Sequence, residues 1–364
     1  MDYEKLAFDI CTFIAGLFLL ERGAEIFIDH TAALSKKLGL PESLIALLTA
    51  GAEWEELAVV IFSLVQKQPG LALGNVIGSN ISNILGAFSL GLLALSQETT
   101  FDRSSKLYAI TLFIVTSTVS VLALTRASGK VVGSILIAIF TVYIASVAIA
   151  IYRGVLAAPE ASDSESDSDS DTDTTSDSSS ALLGDHVSDP EQQQGAEPPV
   201  HPSTPLLRHP PNHRRIASHI LKITLGFAAL TISGFILSRS STDIASALGV
   251  SSTSFGATIL AFATTLPEKF VAVISGARGH NGILVANTIG SNIFLLSLCL
   301  GIVLLSTDAD LGVLISLHEV CWMWGASAVL LGFILTGPPP RATGLVMLVG
   351  YMAFLVLDLS VFRG

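Results

Sequence analysis

Two short polar motifs interrupt apolar stretches of the chain. Residues 74–80 read GNVIGSN and residues 286–292 read ANTIGSN, and each lies in a long run without a charged residue. An amide or hydroxyl without a partner costs roughly several kcal/mol in the hydrocarbon of a bilayer. Small-residue helix packing with Ser and Asn hydrogen bonds accounts for one such motif. Two copies favour a polar site instead.

Each motif follows a glutamate at the same spacing. Glu56 lies 23 residues before Ser79, and Glu268 lies 23 residues before Ser291. Carboxylates inside a membrane are costly and mark ion pathways, and Ca²⁺ binds six to eight carboxylate, amide and backbone oxygens. Asn83 follows Ser79 by four positions, so both side chains share one helix face. These spacings predict a cation site built from both copies.

The composition is typical of a multi-pass membrane protein. Hydrophobic residues make up 51% of the 364 residues and charged residues 13%, which excludes an ordinary soluble domain. Hydropathy and the thickness of a bilayer predict an all-α protein with about ten transmembrane helices. We place them near residues 6–29, 43–65, 71–95, 107–125, 131–152, 218–238, 252–275, 282–306, 311–335 and 342–361.

The two halves of the chain are duplicated. From Leu57 onward the first half aligns with the second at a constant offset of 212 positions, and earlier the offset is 210. Five helices per repeat is an odd number, so the second copy must be inverted in the bilayer, as in many transporters. The predicted organisation is a first repeat over 1–153, a linker over 154–217 and a second repeat over 218–364.

Residues 263–292, ATTLPEKFVAVISGARGHNGILVANTIGSN, resemble a signature repeat of the calcium/cation antiporter superfamily, found in the membrane region of sodium/calcium exchangers. The usual pattern is G-T-S-L-P-E followed by G-N-x-x-G-S-N, and residues 51–80 resemble a divergent first repeat. The resemblance covers essentially the whole membrane region. It implies alternate binding of Ca²⁺ and Na⁺, and on this chain it assigns ligands to Glu56, Glu268, Ser79, Ser291, Asn83, Thr264 and Thr265.

The chain departs from that pattern at both repeats. Leu295 occupies the position four residues after Ser291, where the family has Asp or Asn. In the first repeat, Glu53 stands where the family has Ser, and Glu55 replaces the proline. Glu53 lies one helical turn before Glu56. Either Glu53 supplies the oxygen that Leu295 cannot, or Glu53 and Glu55 only hydrate a water-filled vestibule.

The linker differs from the rest of the chain. Residues 158–199 contain twelve Asp or Glu residues and no Lys or Arg, a composition that predicts disorder. Its Ser-Asp alternation suits an acid-directed kinase, but the interpretation that we favour is a solvated spacer that joins the two halves. Eleven Lys and Arg residues in loops on the linker side, against six on the other, predict a cytoplasmic linker. The plasma membrane and vacuolar or other organellar membranes remain open.

The predicted function is secondary antiport of Ca²⁺ against Na⁺ by alternating access at the central carboxylate site. The resemblance implies that the first and sixth predicted helices are the mobile pair. Two alternatives stay open: a cation/proton antiporter, and a non-transporting membrane protein that senses cations or presents the linker. No nucleophile–base set, nucleotide loop or Cys/His cluster appears, so we expect neither an enzyme nor a cofactor, and no nucleic-acid partner.

Overall fold

The computed structural model describes residues 3–37, 53–95, 101, 103–125, 128–152, 213–307, 315–337 and 339–361. All regular secondary structure in these ranges is helical, as predicted. The first half contains Tyr3–Lys37 (α1), Trp54–Val65 (α2), Pro69–Ala94 (α3), Arg103–Leu124 (α4) and Gly129–Tyr152 (α5). The second contains His213–Leu248 (α6), Ser252–Thr264 (α7), Leu266–Ala277 (α8), Asn281–Ser306 (α9), Leu317–Thr336 (α10) and Pro340–Val361 (α11).

The helix ends reproduce the duplication. Helix α2 begins at Trp54 and ends at Val65, while α8 begins at Leu266 and ends at Ala277, so both ends differ by 212 positions. The two ends of α3 and α9 differ by the same number. The two halves therefore use one arrangement of helices.

Seven of these helices are individually long and apolar enough to span a membrane, and α7 with α8 makes an eighth span bent by 48°. The predicted total of ten is therefore only partly confirmed. The first predicted span lies within the 35-residue α1, whose charged residues keep it out of the seven. The second begins at 43, and its residues up to 52 fall outside the described ranges. The acidic linker also lies outside them, and α6 begins at His213 rather than 218.

Helices α3 and α9 form the centre of the bundle. In their most apolar segments 89% and 78% of the residues are buried, against at most 44% in the other five single spans. The outer helices instead expose large apolar side chains, as a surface facing lipid requires. Phe18, Val142 and Val346 are each about 70% exposed. The two polar motifs therefore lie on the two helices that are best shielded from lipid.

Three spans contain π-helical turns. One covers Ser82–Phe88 in α3, a second covers Leu295–Cys299 in α9, and a third covers Gly256–Leu260 in α7. The first two occupy equivalent positions in the two repeats, directly after the polar motifs. Such turns are rare and often mark functional sites, because the extra residue breaks the regular helical hydrogen-bond pattern.

Candidate cation-binding site

Three carboxylates from the two halves of the chain meet inside the bundle. Ligand oxygens of Glu53, Glu56 and Glu268 all lie within 4.8 Å of one another. Glu56 is completely buried and Glu53 is 6% exposed. Three carboxylates this close repel one another unless cations or protons neutralise them. The arrangement is therefore suited to a multivalent cation or to several monovalent ones.

The start of α2 and the start of α8 position these carboxylates. Glu53 is the residue that caps the N-terminus of α2, and Glu56 lies in its first turn. In α8 the equivalent cap is Thr265, and Glu268 lies in the first turn. Pro267 lies in the same turn and cannot donate a helical hydrogen bond to the Ala263 carbonyl, and the span is bent by 48° between α7 and α8. The partial positive charge of each helix N-terminus offsets part of the repulsion between the acids.

The polar motif of α3 supplies several buried oxygens without a partner. The side chains of Asn75, Ser79, Asn80 and Asn83 are all buried, and none of their polar atoms has a hydrogen-bonding partner among the described residues. Buried amides and hydroxyls almost always have partners. Such a concentration on one helix indicates that these atoms serve a ligand.

Helix α9 and the acids also contain buried polar atoms without a hydrogen-bonding partner in the described part of the chain. The Ser291 hydroxyl, the Asn292 Oδ1, both carboxylate oxygens of Glu56 and the Glu268 Oε2 are buried without a partner in the described part of the chain. The Asn292 amide nitrogen, by contrast, donates a 2.5 Å hydrogen bond to the Thr288 carbonyl. At Asn292 the donor is therefore used within the helix and the acceptor oxygen stays available to a cation.

The glycines of the first motif pack helices together. A Cβ on Gly74 would lie 2.1 Å from the Thr253 carbonyl oxygen, and a Cβ on Gly78 would lie 2.1 Å from that of Ala257. Helix α3 therefore contacts α7 backbone to backbone. Small-residue packing thus explains the glycines of the motif, but it leaves the neighbouring Asn and Ser side chains unexplained.

The structure brings together only part of the predicted ligand set. Glu53, Glu56 and Glu268 form the cluster, and Ser79, Asn83 and Ser291 are buried with free polar atoms; their role as ligands stays a prediction. The two predicted threonines are also buried, but their hydroxyls already have partners, and Thr265 Oγ1 also accepts from Lys269 and lies 2.8 Å from Ser82 Oγ. Thr264 Oγ1 donates to the Ala261 carbonyl at 3.4 Å and Thr265 Oγ1 donates to the same oxygen at 2.6 Å.

Glu53 and Glu55 lie in different surroundings, which bears on the two interpretations left open by the sequence. Glu55 is half-buried and lines a cavity of about 210 Å³ together with Glu21, Thr264 and Pro267. Glu53 belongs to the carboxylate cluster. Leu295 is fully buried among apolar side chains of the core. This geometry favours Glu53 as the replacement ligand and Glu55 as the vestibule residue.

Sequence reasoning missed a buried lysine beside the cluster. Lys269 directly follows Glu268, is 7% exposed, and donates hydrogen bonds to Thr265 Oγ1 at 2.5 Å and Ser82 Oγ at 2.9 Å. The Ser82 hydroxyl also lies 2.9 Å from that of Tyr351. A basic residue inside an apolar span was the available signal. Thr265 precedes Lys269 by one helical turn, but Ser82 of α3 and Tyr351 of α11 have no sequence spacing that links them to α8.

Comparison with known proteins points to one family. A family model described as "Sodium/calcium exchanger protein" matches residues 8–149 and 218–359, which is most of the chain in two separate copies. The chain belongs to the sodium/calcium exchanger family. The two matched regions are the two halves whose helices correspond, and the acidic linker lies between them.

Relatives of this family member come from archaea and bacteria. It is 27% identical over 356 residues to the sodium/calcium exchanger MaX1 of Methanosarcina acetivorans, covering 94% of this chain and 96% of that protein. It is 25% identical to the inner membrane protein YrbG of Escherichia coli, covering 94% of each. A solved structure of the sodium-calcium exchanger NCX_Mj matches with a TM-score of 0.56 at 19% identity, covering 96% of this chain and 98% of that one. The protein is thus an all-α integral membrane antiporter with two inverted repeats.

Proposed function

We propose that the protein exchanges Ca²⁺ for Na⁺ across a membrane by alternating access at the cluster of Glu53, Glu56 and Glu268. The observation that carries the proposal is that carboxylates from both repeats converge within 4.8 Å inside the bundle. Ca²⁺ prefers carboxylates completed by amide and hydroxyl oxygens. The buried side chains of Ser79, Asn83 and Ser291 have polar atoms without a partner in the described residues and are the candidates to complete the shell.

Charge neutralisation at the cluster couples the movement of Ca²⁺ to that of Na⁺. An empty cluster concentrates negative charge away from water, which is strongly unfavourable. Ca²⁺ or several Na⁺ ions relieve that repulsion, so only loaded protein changes between its outward- and inward-facing forms. Ions then cross only in exchange for other ions.

The packing of α1 on α6 suits a moving pair. A Cβ on Gly23 would lie 2.9 Å from the Ala229 Cβ, and a Cβ on Gly226 would lie 2.7 Å from the Phe27 nitrogen. The two helices therefore meet along a smooth, close surface. Helix α1 also forms one wall of the cavity that contains Glu55. Movement of α1 with α6 would open or close this cavity beside the carboxylates.

The decisive test is ⁴⁵Ca²⁺ uptake into liposomes that contain the purified protein, with an imposed Na⁺ gradient. We expect uptake driven by internal Na⁺ and lost in Glu268→Gln. Asp358→Asn, which removes another buried carboxylate outside the cluster, serves as the matched control and should retain uptake.

Other outcomes would replace this function. Uptake that follows a pH gradient and ignores Na⁺ would assign the protein as a cation/proton antiporter. Absence of flux, together with Ca²⁺ binding that Glu268→Gln abolishes, would assign a cation sensor. In all three cases the ions are the substrates or ligands of this one site.

A further inference from the structure

Lys269 has a complete set of oxygen partners inside the membrane. Besides the hydroxyls of Thr265 and Ser82, its ammonium donates to the Thr265 carbonyl at 3.1 Å and the Phe262 carbonyl at 3.4 Å. Its nitrogen also lies 4.8 Å from the centroid of the Phe262 ring and 6.0 Å from that of Tyr351. Hydroxyls, carbonyls and ring faces are groups that hold a monovalent cation.

The pocket around this ammonium is built by three separate parts of the chain. Ser82 Oγ bonds Thr265 Oγ1 at 2.8 Å and the Tyr351 hydroxyl at 2.9 Å, which joins α3, the α7–α8 break and α11. Gly86 leaves the space for it, since a Cβ there would lie 3.3 Å from the Tyr351 ring and 3.5 Å from the Lys269 Cε. The pocket is therefore specific to this side chain.

The charge of Lys269 lies next in sequence to the carboxylate of Glu268 and interacts with the carboxylate cluster. Lys269 interacts electrostatically with both Glu268 and Glu56, and its nitrogen is held by neutral oxygens from the described residues. The three ionised carboxylates carry three negative charges, and the ammonium leaves a net charge of minus two. One Ca²⁺ or two Na⁺ ions would neutralise that remainder.

We propose that Lys269 is a tethered cation that takes the place of one transported monovalent ion, so that two Na⁺ ions exchange for one Ca²⁺ without net charge movement. This inference rests on the exchange proposed above. It implies that the pocket formed by Ser82, Thr265 and the Phe262 carbonyl becomes a Na⁺ site when the lysine side chain loses its ammonium.

The first test compares the wild-type protein with Lys269→Met in liposomes, using K⁺ gradients and valinomycin to set the membrane potential. We expect wild-type Ca²⁺ accumulation to be independent of potential. In the variant a third Na⁺ would make exchange move one charge, which changes the equilibrium Ca²⁺ ratio roughly 50-fold per 100 mV. Lys67→Met removes an exposed lysine by the same substitution and should behave as wild type.

A second test does not depend on transport. Equilibrium binding of ²²Na⁺ to purified protein in detergent should show one additional Na⁺ per protein in Lys269→Met, and Ser82→Ala in that background should remove it. Lys269→Arg, which keeps the charge, should bind as wild type. Circular dichroism and gel filtration identify any variant that fails to fold, and Lys269→Gln then replaces Lys269→Met.

The two tests separate this inference from the proposed function. Suppose that Lys269→Met binds an additional Na⁺ but wild-type Ca²⁺ flux does not depend on Na⁺. This outcome would support Lys269 as a tethered cation and reject Na⁺ coupling. Na⁺-driven flux without an additional Na⁺ in the variant, or wild-type exchange that responds to potential, would overturn the tethered cation and keep the exchanger. Failure of both Na⁺-driven flux and additional binding would reject both.

Discussion

The two repeats share their helices but differ in the chemistry around their glutamates. Glu56 and Glu268 are related by the 212-residue offset and lie in the first turns of the equivalent helices α2 and α8. The cap residue before each is Glu53 in the first repeat and Thr265 in the second. The two repeats have the same helices, but only the first repeat contributes a third acid to the cluster.

The lysine pocket also has no counterpart at the positions related by the duplication. Lys269, Ser82 and Tyr351 have as their equivalents the three apolar residues Leu57, Phe294 and Ile139. One repeat thus contributes an additional negative charge and the other contributes a positive one. The lesson is that inverted repeats constrain backbone position, while the charge balance of the site is set by residues that break the symmetry.

The largest expected effect concerns the symmetric pair. Because Glu56 and Glu268 occupy equivalent positions, Glu56→Gln should reduce Na⁺-driven ⁴⁵Ca²⁺ uptake as severely as Glu268→Gln. The expected loss is about 100-fold or more, since each variant removes one carboxylate partner of the bound cation and breaking a buried ion pair costs about 3–5 kcal/mol. Uptake retained by either variant alone would show that the two acids are not equivalent.

The next prediction concerns the N-terminal cap residue of α2, which differs from that of α8. Glu53→Thr gives the first repeat the cap of the second and should weaken Ca²⁺ uptake about tenfold, because one charged ligand is lost. Leu295→Asp in the same protein should restore part of that loss by returning an acid to the other repeat. Apparent Ca²⁺ affinity measures both steps. Unchanged Ca²⁺ affinity in Glu53→Thr would show that Glu53 is not a ligand and only hydrates the vestibule.

A third prediction concerns stability. Gly78→Ala places a methyl group 2.1 Å from the Ala257 carbonyl oxygen, so α3 and α7 must separate, and overpacking of this kind costs about 1–3 kcal/mol. Thermal unfolding in detergent should show a lower midpoint than wild type. Gly325→Ala, where a Cβ meets nothing within 4 Å, is the control.

The smallest effect is expected at the vestibule. Glu55 is equivalent to Pro267 and lines the cavity outside the cluster. Glu55→Gln should change the rate of Ca²⁺ uptake by about threefold or less, through a weaker attraction of cations to the cavity. The effect should shrink as ionic strength rises. A loss as large as that of Glu56→Gln would instead make Glu55 a ligand.

The sequence was sufficient to predict the duplication, the helical fold and the meeting of Glu56 with Glu268. These features follow from hydropathy, a constant offset and matched motifs, all of which are local or periodic. Seven single spans and one bent pair are described instead of ten, because the region before Glu53 lies outside the described residues and α1 contains several charged residues.

The lysine pocket and the π turns could not be predicted. Thr265 and Phe262 precede Lys269 at helical spacing. Its other partners lie on α3 and α11, and these long-range contacts leave no spacing in the sequence. A π turn differs from an α turn by one residue in its hydrogen-bond pattern, and the residues of 82–88 carry no feature that requires it. Both depend on tertiary packing.

The π turn of α3 also fixes which way the rest of that span faces. One additional residue in a helix rotates every later side chain by about 100° around the axis. The turn over Ser82–Phe88 therefore determines that Gly86 lies beneath the Lys269 side chain and the Tyr351 ring. Deleting one residue there would place a different side chain in that space, so the length of this segment, as well as its residue types, sets the shape of the lysine pocket.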